Sequence, residues 1–98
     1  MKVAELLVAR SSHSIVYHNG LIFISGGMTN NDETLKKCEV FDPRTEEVKM
    51  IAPCKYATTN SCLSAIGKDY LIKFGGVYST GENNNTIEVY SIKADAWF

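Results

Sequence analysis

Residues 10–27 read RSSHSIVYHNGLIFISGG, and this stretch decides the fold. Two short runs rich in β-branched and aromatic residues, 14–17 and 21–25, flank His18-Asn19-Gly20. An Asn-Gly pair between two apolar runs is a strong hairpin signal, because both residues tolerate positive φ. The stretch is therefore predicted to be a β-hairpin that ends at the double glycine Gly26-Gly27.

The same plan recurs later in the chain. A shift of 49 residues, with no gap, places Gly75-Gly76 on Gly26-Gly27 and Glu88 on Glu39. Residues 63–66 and 70–74 then form a second hairpin around Gly67-Lys68-Asp69. A fixed period of roughly 20 to 50 residues with matched patterning indicates a repeat architecture.

The two glycine pairs have a physical role that can be stated in advance. A glycine pair that ends a strand supplies positive φ and room for close backbone approach, neither of which a side chain allows cheaply. We therefore predict positive φ at one or both members of each pair.

Each repeat continues in the same way after its glycine pair. Polar stretches at 28–37 and 77–86 are predicted to be surface loops. Third strands follow at 38–41 and 87–90, and fourth strands begin near Val48 and Trp97. Because no long helical stripe of apolar residues competes, the sequence predicts an all-β fold of two four-stranded antiparallel units.

Composition bounds the function. A chain of 98 residues allows one small domain, and a net charge of −1 with a pI near 6.1 argues against nucleic acid as a partner. No apolar run approaches the roughly 20 residues that span a bilayer, so no membrane partner is expected. The N-terminal residues do not match a signal peptide, and the three cysteines are an odd number without zinc-site spacing, which predicts reduced thiols in a cytoplasmic protein.

The repeat resembles the kelch repeat of β-propellers. The resemblance rests on four strands per unit, the glycine pairs, a third strand that begins Glu-hydrophobic-aromatic, and a Trp that opens the fourth strand. The residues that match the kelch pattern are Arg10, His13, Gly26, Gly27, Glu39, Gly75, Gly76, Glu88 and Trp97. The resemblance implies two blades of a partial propeller: an outer-strand remnant and linker at 1–9, one repeat at 10–55, and a second at 56–98, truncated in its fourth strand.

The second repeat departs from the first at several positions. Val48 stands where the other copy has Trp97, so either another contact compensates in the first repeat or that repeat is the more loosely packed one. The ungapped alignment also makes Thr59 and Cys62 the counterparts of Arg10 and His13.

Two blades cannot close a ring, since closed propellers have about four to eight. Three explanations stay open: a segment of a larger propeller, packing against another protein, or head-to-tail assembly of several copies. The expected partners are accordingly a protein or further blades from the same parent chain or other copies.

No catalytic motif stands out, and the chain is predicted not to be an enzyme. The kelch family that the chain resembles contains a copper-dependent oxidase with Tyr, His and Cys groups in its propeller. The spacing of Tyr17, His18 and Cys62 does not repeat that copper site, so no cofactor or metal is expected. Glu39 and Glu88 recur at one repeat position, which predicts an architectural bond to backbone N–H groups or an arginine. His13 is expected to be a hydrogen-bonded structural residue, and the sequon at Asn84 a solvated loop.

What remains is binding. Peptide-binding relatives use residues just after the glycine pair and in the link between blades. Carried over by position, that pattern selects Ser11, Asn30, Tyr56, Asn60, Tyr78 and Ser79. The resemblance implies a non-catalytic protein-interaction module. The alternatives are a substrate-recognition part of a cullin-type ubiquitin ligase adaptor, a structural subunit of a large complex and, last, an oxidase-like propeller.

Overall fold

The computed structural model describes residues 5–7 and 10–98, and every regular element among them is a β-strand. The predicted all-β class is thus confirmed. No helix in this part of the chain could span a membrane. The strands are β1 (Ser14–His18), β2 (Leu21–Ser25), β3 (Cys38–Asp42), β4 (Glu47–Ile51), β5 (Thr58–Thr59), β6 (Cys62–Ile66), β7 (Tyr70–Phe74), β8 (Val77–Tyr78), β9 (Ile87–Ser91) and β10 (Ala96–Trp97).

The strands form two antiparallel sheets that repeat one design. Strands β1 to β4 follow one another across the first sheet, which we call blade 1. Strands β6, β7, β9 and β10 do the same in the second sheet, blade 2. The short strands β5 and β8 pair with each other beside blade 2, and the sequence did not predict them.

The two hairpins differ in length by one residue. In blade 1, His18 pairs with Leu21 across a two-residue turn, with φ of 51° at Asn19 and 81° at Gly20. In blade 2, Ile66 pairs with Tyr70 across a three-residue turn. The ungapped alignment is therefore wrong before this turn, where equivalent residues lie 48 positions apart and not 49.

This extra residue changes which side chains correspond between the repeats. Ser12 and Asn60, 48 apart, both have positive φ, 53° and 56°. The counterparts of Arg10 and His13 are therefore Thr58 and Ser61, and the assignment of Thr59 and Cys62 to those positions is wrong. Because the turn takes up the extra residue, the strands before it correspond at a spacing of 48. A spacing of 49 would pair each residue with one on the opposite face of the sheet.

The core lies between the two blades. Phe23 and Cys38 of blade 1 pack with Leu71, Tyr90 and Trp97 of blade 2. Tyr90 and Trp97 stack with ring centroids 5.0 Å apart. Burying a large apolar side chain contributes roughly 1.5–3 kcal/mol, so the contact between blades is a main source of stability.

The outer strand of blade 2 is also tied to the segment that follows blade 1. The indole Nε1 of Trp97 donates to the carbonyl of Ala52 at 2.8 Å. The carboxylate of Asp95 accepts from the Ala52 N–H at 2.8 Å and from the Tyr90 hydroxyl at 2.6 Å. Both hydrogen-bonding groups of the Ala52 backbone are thus used between repeats.

Both glycine pairs adopt positive φ as predicted, with angles of 65° and 94° at Gly26 and Gly27, and 73° and 84° at Gly75 and Gly76. The second glycine of each pair is also closely approached by backbone. A Cβ atom on Gly27 would lie 2.5 Å from the carbonyl oxygen of Ser11, and one on Gly76 would lie 2.5 Å from that of Thr59.

The two polar loops are largely exposed, as predicted, but each buries one side chain. Leu35 and Asn84 are buried within them, with 2% and 7% of their surface exposed. The Asn84 amide donates to the carbonyl of Gly75 at 2.8 Å and accepts from the Tyr78 hydroxyl at 2.7 Å. The asparagine of the sequon therefore anchors its loop, and the expectation of a solvated site is wrong.

Candidate functional site

One end of the two blades carries most of the irregular chain. In a four-stranded meander, successive turns alternate between the two ends of the sheet, so the β2–β3 and β7–β9 connections emerge beside the link from β4 to β6. We call this surface the loop face and define it as residues 10–13, 26–37, 52–61 and 75–86. All six partner-binding residues that the sequence selects lie within it: Ser11, Asn30, Tyr56, Asn60, Tyr78 and Ser79.

Two of these residues form an aromatic pair. The rings of Tyr56 and Tyr78 meet edge to face, with centroids 6.3 Å apart and an interplanar angle of 61°. Tyr78 is fixed from both sides, because β8 pairs with β5 and its hydroxyl donates to Asn84. Tyr56 keeps 43% of its surface exposed.

Ser11 and Asn60 lie where the link segments are held by backbone. Ser11 exchanges two hydrogen bonds of 2.9 Å with Met28, the residue after the first glycine pair. The N–H of Asn60 donates to the carbonyl of Ser12 at 2.9 Å, which joins the two repeats directly. Both side chains are exposed on an anchored backbone.

Asn30 and Ser79 lie at the tips of the two loops, where both are exposed. The tip of the first loop is closed by a hydrogen bond of 3.1 Å from the N–H of Asp32 to the carbonyl of Thr29. The tip of the second is closed by a bond of 2.9 Å from the N–H of Gly81 to the carbonyl of Tyr78.

A buried carboxylate lies beneath the loop face in each blade. Glu39 accepts from the N–H of Leu7 and from the guanidinium of Arg10, both at 2.5 Å. Glu88 accepts from the N–H of Lys55 at 2.6 Å. Since Leu7 and Lys55 are 48 residues apart, each glutamate fixes the same point of the segment that leads into its blade.

The cation beside the carboxylate comes from a different place in each blade. In blade 2 the position of Arg10 is held by Thr58, and Lys73 of β7 supplies the charge, with its Nζ 3.5 Å from Glu88 Oε2. Lys73 stands at the position of Ile24 in blade 1 and is only 1% exposed. The sequence analysis missed this lysine, although it interrupts an apolar strand, two residues from Leu71.

Lys73 also contacts the link between the blades. Its ammonium donates to the carbonyl of Tyr56 at 3.0 Å and lies 3.5 Å from the sulfur of Cys54. The thiols of Cys38 and Cys54 both contact the carbonyl of Lys36, at 3.4 and 3.3 Å. The side chain that neutralises Glu88 thus also positions the backbone of Tyr56.

The pKa values of Cys54 and Tyr90, both buried, are shifted in opposite directions. A hydrogen bond from Cys38 and the charge of Lys73 lower the pKa of Cys54 to about 6, against the opposing effects of burial and of Glu88. Burial and the neighbouring Asp95 carboxylate raise the pKa of Tyr90. The thiolate form is therefore favoured at Cys54 compared with an ordinary cysteine, whereas the phenolate form is disfavoured at Tyr90.

His13 packs against the backbone of the first glycine pair, since a Cβ on Gly27 would lie 3.0 Å from the His13 Cβ. Its Nδ1 is buried without a hydrogen-bond partner among the described residues. The predicted hydrogen-bonded role is therefore not found at this nitrogen.

Among residues 5–7 and 10–98, no three His, Cys, Asp or Glu side chains gather closely enough to hold a metal ion. What the loop face offers chemically is an exposed aromatic pair, several polar side chains and backbone held in place from below. These are the features of a binding surface.

Comparison with known proteins agrees with this architecture. A family model for the kelch motif matches residues 9–55. Kelch-like protein 40 of Xenopus tropicalis is 36% identical over 86 residues, which cover 87% of this chain. The chain belongs to the kelch-repeat family.

Other kelch proteins match over a similar span. Kelch-like protein 41a of Danio rerio is 29% identical over 98 residues, covering 99% of this chain and 16% of its own length. An F-box/kelch-repeat protein of Arabidopsis thaliana is 28% identical over 97 residues, covering 98% of this chain and 26% of its own length. This kelch chain spans only 14% of Kelch-like protein 40. The likeness therefore concerns the blades and not the remainder of those proteins.

Proposed function

We propose that the chain is a non-catalytic protein-interaction module whose loop face binds an extended peptide segment of a partner protein. The observation that carries the proposal is the pair of Tyr56 and Tyr78. An exposed aromatic ring, supported by a second ring that is itself hydrogen-bonded, presents apolar area at little entropic cost.

The surroundings of the pair suit a peptide ligand. Tyrosines are among the residues that most often dominate binding energy at protein interfaces. Exposed polar side chains share the loop face with the pair, and Ser11, Asn60 and Ser79 are available to hydrogen-bond a peptide backbone. Because these residues stand on backbone tied by hydrogen bonds, little loop entropy would be lost on binding.

The finer roles that the kelch resemblance implies remain proposals. A substrate-recognition part of a ubiquitin ligase adaptor would use the same loop face, and one relative is named an F-box/kelch-repeat protein. A structural subunit would instead bury this face permanently. Both are compatible with a binding surface and differ in the lifetime of the complex.

A selection from a displayed peptide library tests the proposal. Peptides enriched on the full chain are expected to bind the Tyr56→Ala variant about thirtyfold or more weakly, because losing a central aromatic contact costs about 2 kcal/mol or more. Affinities would be measured by calorimetry. The matched control is Tyr17→Ala, because Tyr17 is 69% exposed but lies in β1, outside the loop face.

The expected result is a loss confined to Tyr56→Ala, with Tyr17→Ala equal to the parent chain. Peptides that bind both variants as tightly as the parent would contradict the proposed loop face. Peptides weakened mainly by Tyr17→Ala would place binding on the outer side of blade 1 and would also overturn it.

A further inference from the structure

Two cysteines and a lysine lie together just below the loop face. Cys38 belongs to β3 of blade 1 and Cys54 to the link that leads into blade 2. The N–H of Cys54 donates to the carbonyl of Lys36 at 2.9 Å, which places its backbone beside the strand that carries Cys38. Both sulfurs lie against that same carbonyl oxygen, Cys38 Sγ at 3.4 Å and Cys54 Sγ at 3.3 Å.

The pair is buried but covered by only one layer of chain. Cys38 is 0% exposed and Cys54 is 2% exposed. The neighbours of Cys54 in sequence, Pro53, Lys55 and Tyr56, are all exposed. The Cys54 sulfur therefore lies within a link segment whose neighbouring residues reach the surface.

The charges around the pair favour different protonation states on the two sulfurs. The hydrogen bond from Cys38 and the ammonium of Lys73 lower the pKa of Cys54, while contact with Cys54 and burial raise that of Cys38. Burial and the charge of Glu88 act in the opposite sense on Cys54. Together these effects favour the thiolate form at Cys54 and the thiol form at Cys38, the arrangement of an attacking and a resolving cysteine.

We propose that Cys38 and Cys54 form an oxidisable dithiol, which a peroxide converts to a disulfide between the third strand of blade 1 and the link to blade 2. The proposal does not require peptide binding, although Cys54 and Lys73 both contact the carbonyl of Tyr56. Lys73 is its positioning residue and acts through Cys54.

The chemistry balances with peroxide as the only co-reactant. The Cys54 thiolate attacks one peroxide oxygen, so an S–O bond forms, the O–O bond breaks and hydroxide leaves to become water. The Cys38 sulfur then attacks the sulfenic acid at Cys54, so the S–S bond forms, the S–O bond breaks and a second water leaves with the Cys38 proton. Two thiols are oxidised and one peroxide is reduced to two waters.

Treating the reduced, folded chain with hydrogen peroxide tests the site. Intact mass should show the loss of two hydrogen atoms, and peptide mapping should find Cys38 joined to Cys54. The matched control is Cys62→Ser, which removes the exposed cysteine and should leave this crosslink unchanged. In Cys38→Ser the reaction should stop at a sulfenic acid on Cys54, which dimedone traps. Oxidation of Cys62 alone, with Cys38 and Cys54 still reduced, would overturn the proposal.

The pH dependence of crosslinking tests the part assigned to Lys73. In the parent chain the rate should be half-maximal near pH 6, which follows the lowered pKa of Cys54. Lys73→Gln should move this midpoint upward, towards the ordinary thiol value of about 8.5. Lys73→Arg keeps the charge and should restore the low midpoint. Circular dichroism would show that both variants are folded, and an unchanged midpoint in folded Lys73→Gln would exclude a role for Lys73.

Discussion

Replacing Gly76 by alanine is expected to lower the free energy of unfolding by about 4 kcal/mol, from a left-handed backbone and a steric clash together. Gly76 has φ of 84°, which L-residues adopt only with strain. The new Cβ would also lie 2.5 Å from the Thr59 carbonyl oxygen and 2.5 Å from Ser61 Oγ. The Thr59 oxygen belongs to the β5 backbone, so relieving the contact would require β5 to separate from the glycine pair.

The neighbouring glycine provides the control. Gly75 has a similar φ of 73°, but a Cβ there would meet nothing within 4 Å. Gly75→Ala should therefore show the backbone cost alone, about 1–2 kcal/mol. Urea unfolding, followed by circular dichroism, measures both. Equal losses for the two variants would mean that close backbone approach at Gly76 has no part in stability.

The second large effect is expected at the buried ion pair of blade 2. Glu88→Gln keeps the acceptor for the N–H of Lys55 but removes the negative charge beside Lys73. Because Lys73 remains 1% exposed with its partner gone, we expect the free energy of unfolding to fall by about 3 kcal/mol. The measurement is again the urea midpoint.

Two further variants distinguish the loss of the buried ion pair between Lys73 and Glu88 from the general effect of removing a charge. Arg44→Gln removes a surface ion pair with Asp42, in which the arginine side chain is 84% exposed, and should leave the urea midpoint unchanged. The double variant Lys73→Met, Glu88→Gln should recover part of the loss, because no charge is then buried alone. If Glu88→Gln alone were as stable as Arg44→Gln, the buried pair of Lys73 and Glu88 would not be a source of stability.

Much of the fold follows from local patterns in the sequence. The Asn19-Gly20 turn, the strands beside it and the glycine pairs are all indicated by residues close together in the chain. The second turn, Gly67-Lys68-Asp69, has the three residues predicted, whereas the first is one residue shorter than predicted, because His18 extends β1 and pairs with Leu21. The alternation of apolar and polar residues did indicate the correct alignment of the strand before the second turn. A shift of 48 aligns Leu63 with the apolar Ile15, whereas the ungapped shift of 49 aligns it with the polar Ser14.

The side chains beneath the loop face were harder to predict. Lysine is almost never fully buried unless it is paired, so nothing local marks Lys73 as an interior residue. Its burial depends on which face of β7 packs on blade 1, and that is a property of the assembled blades. The position of Tyr56 beside Tyr78 likewise depends on the pairing of β5 with β8, two strands too short to be read from sequence.

The two ways of neutralising one carboxylate have an evolutionary consequence. The glutamate stays at the same repeat position, while its counter-charge comes from Arg10 before the first strand or from Lys73 within the second strand. Two cations at one carboxylate would leave one uncompensated in the interior. Across aligned repeats, a positive charge at one of these two positions should therefore exclude it at the other, and each exchange between them requires both positions to change together.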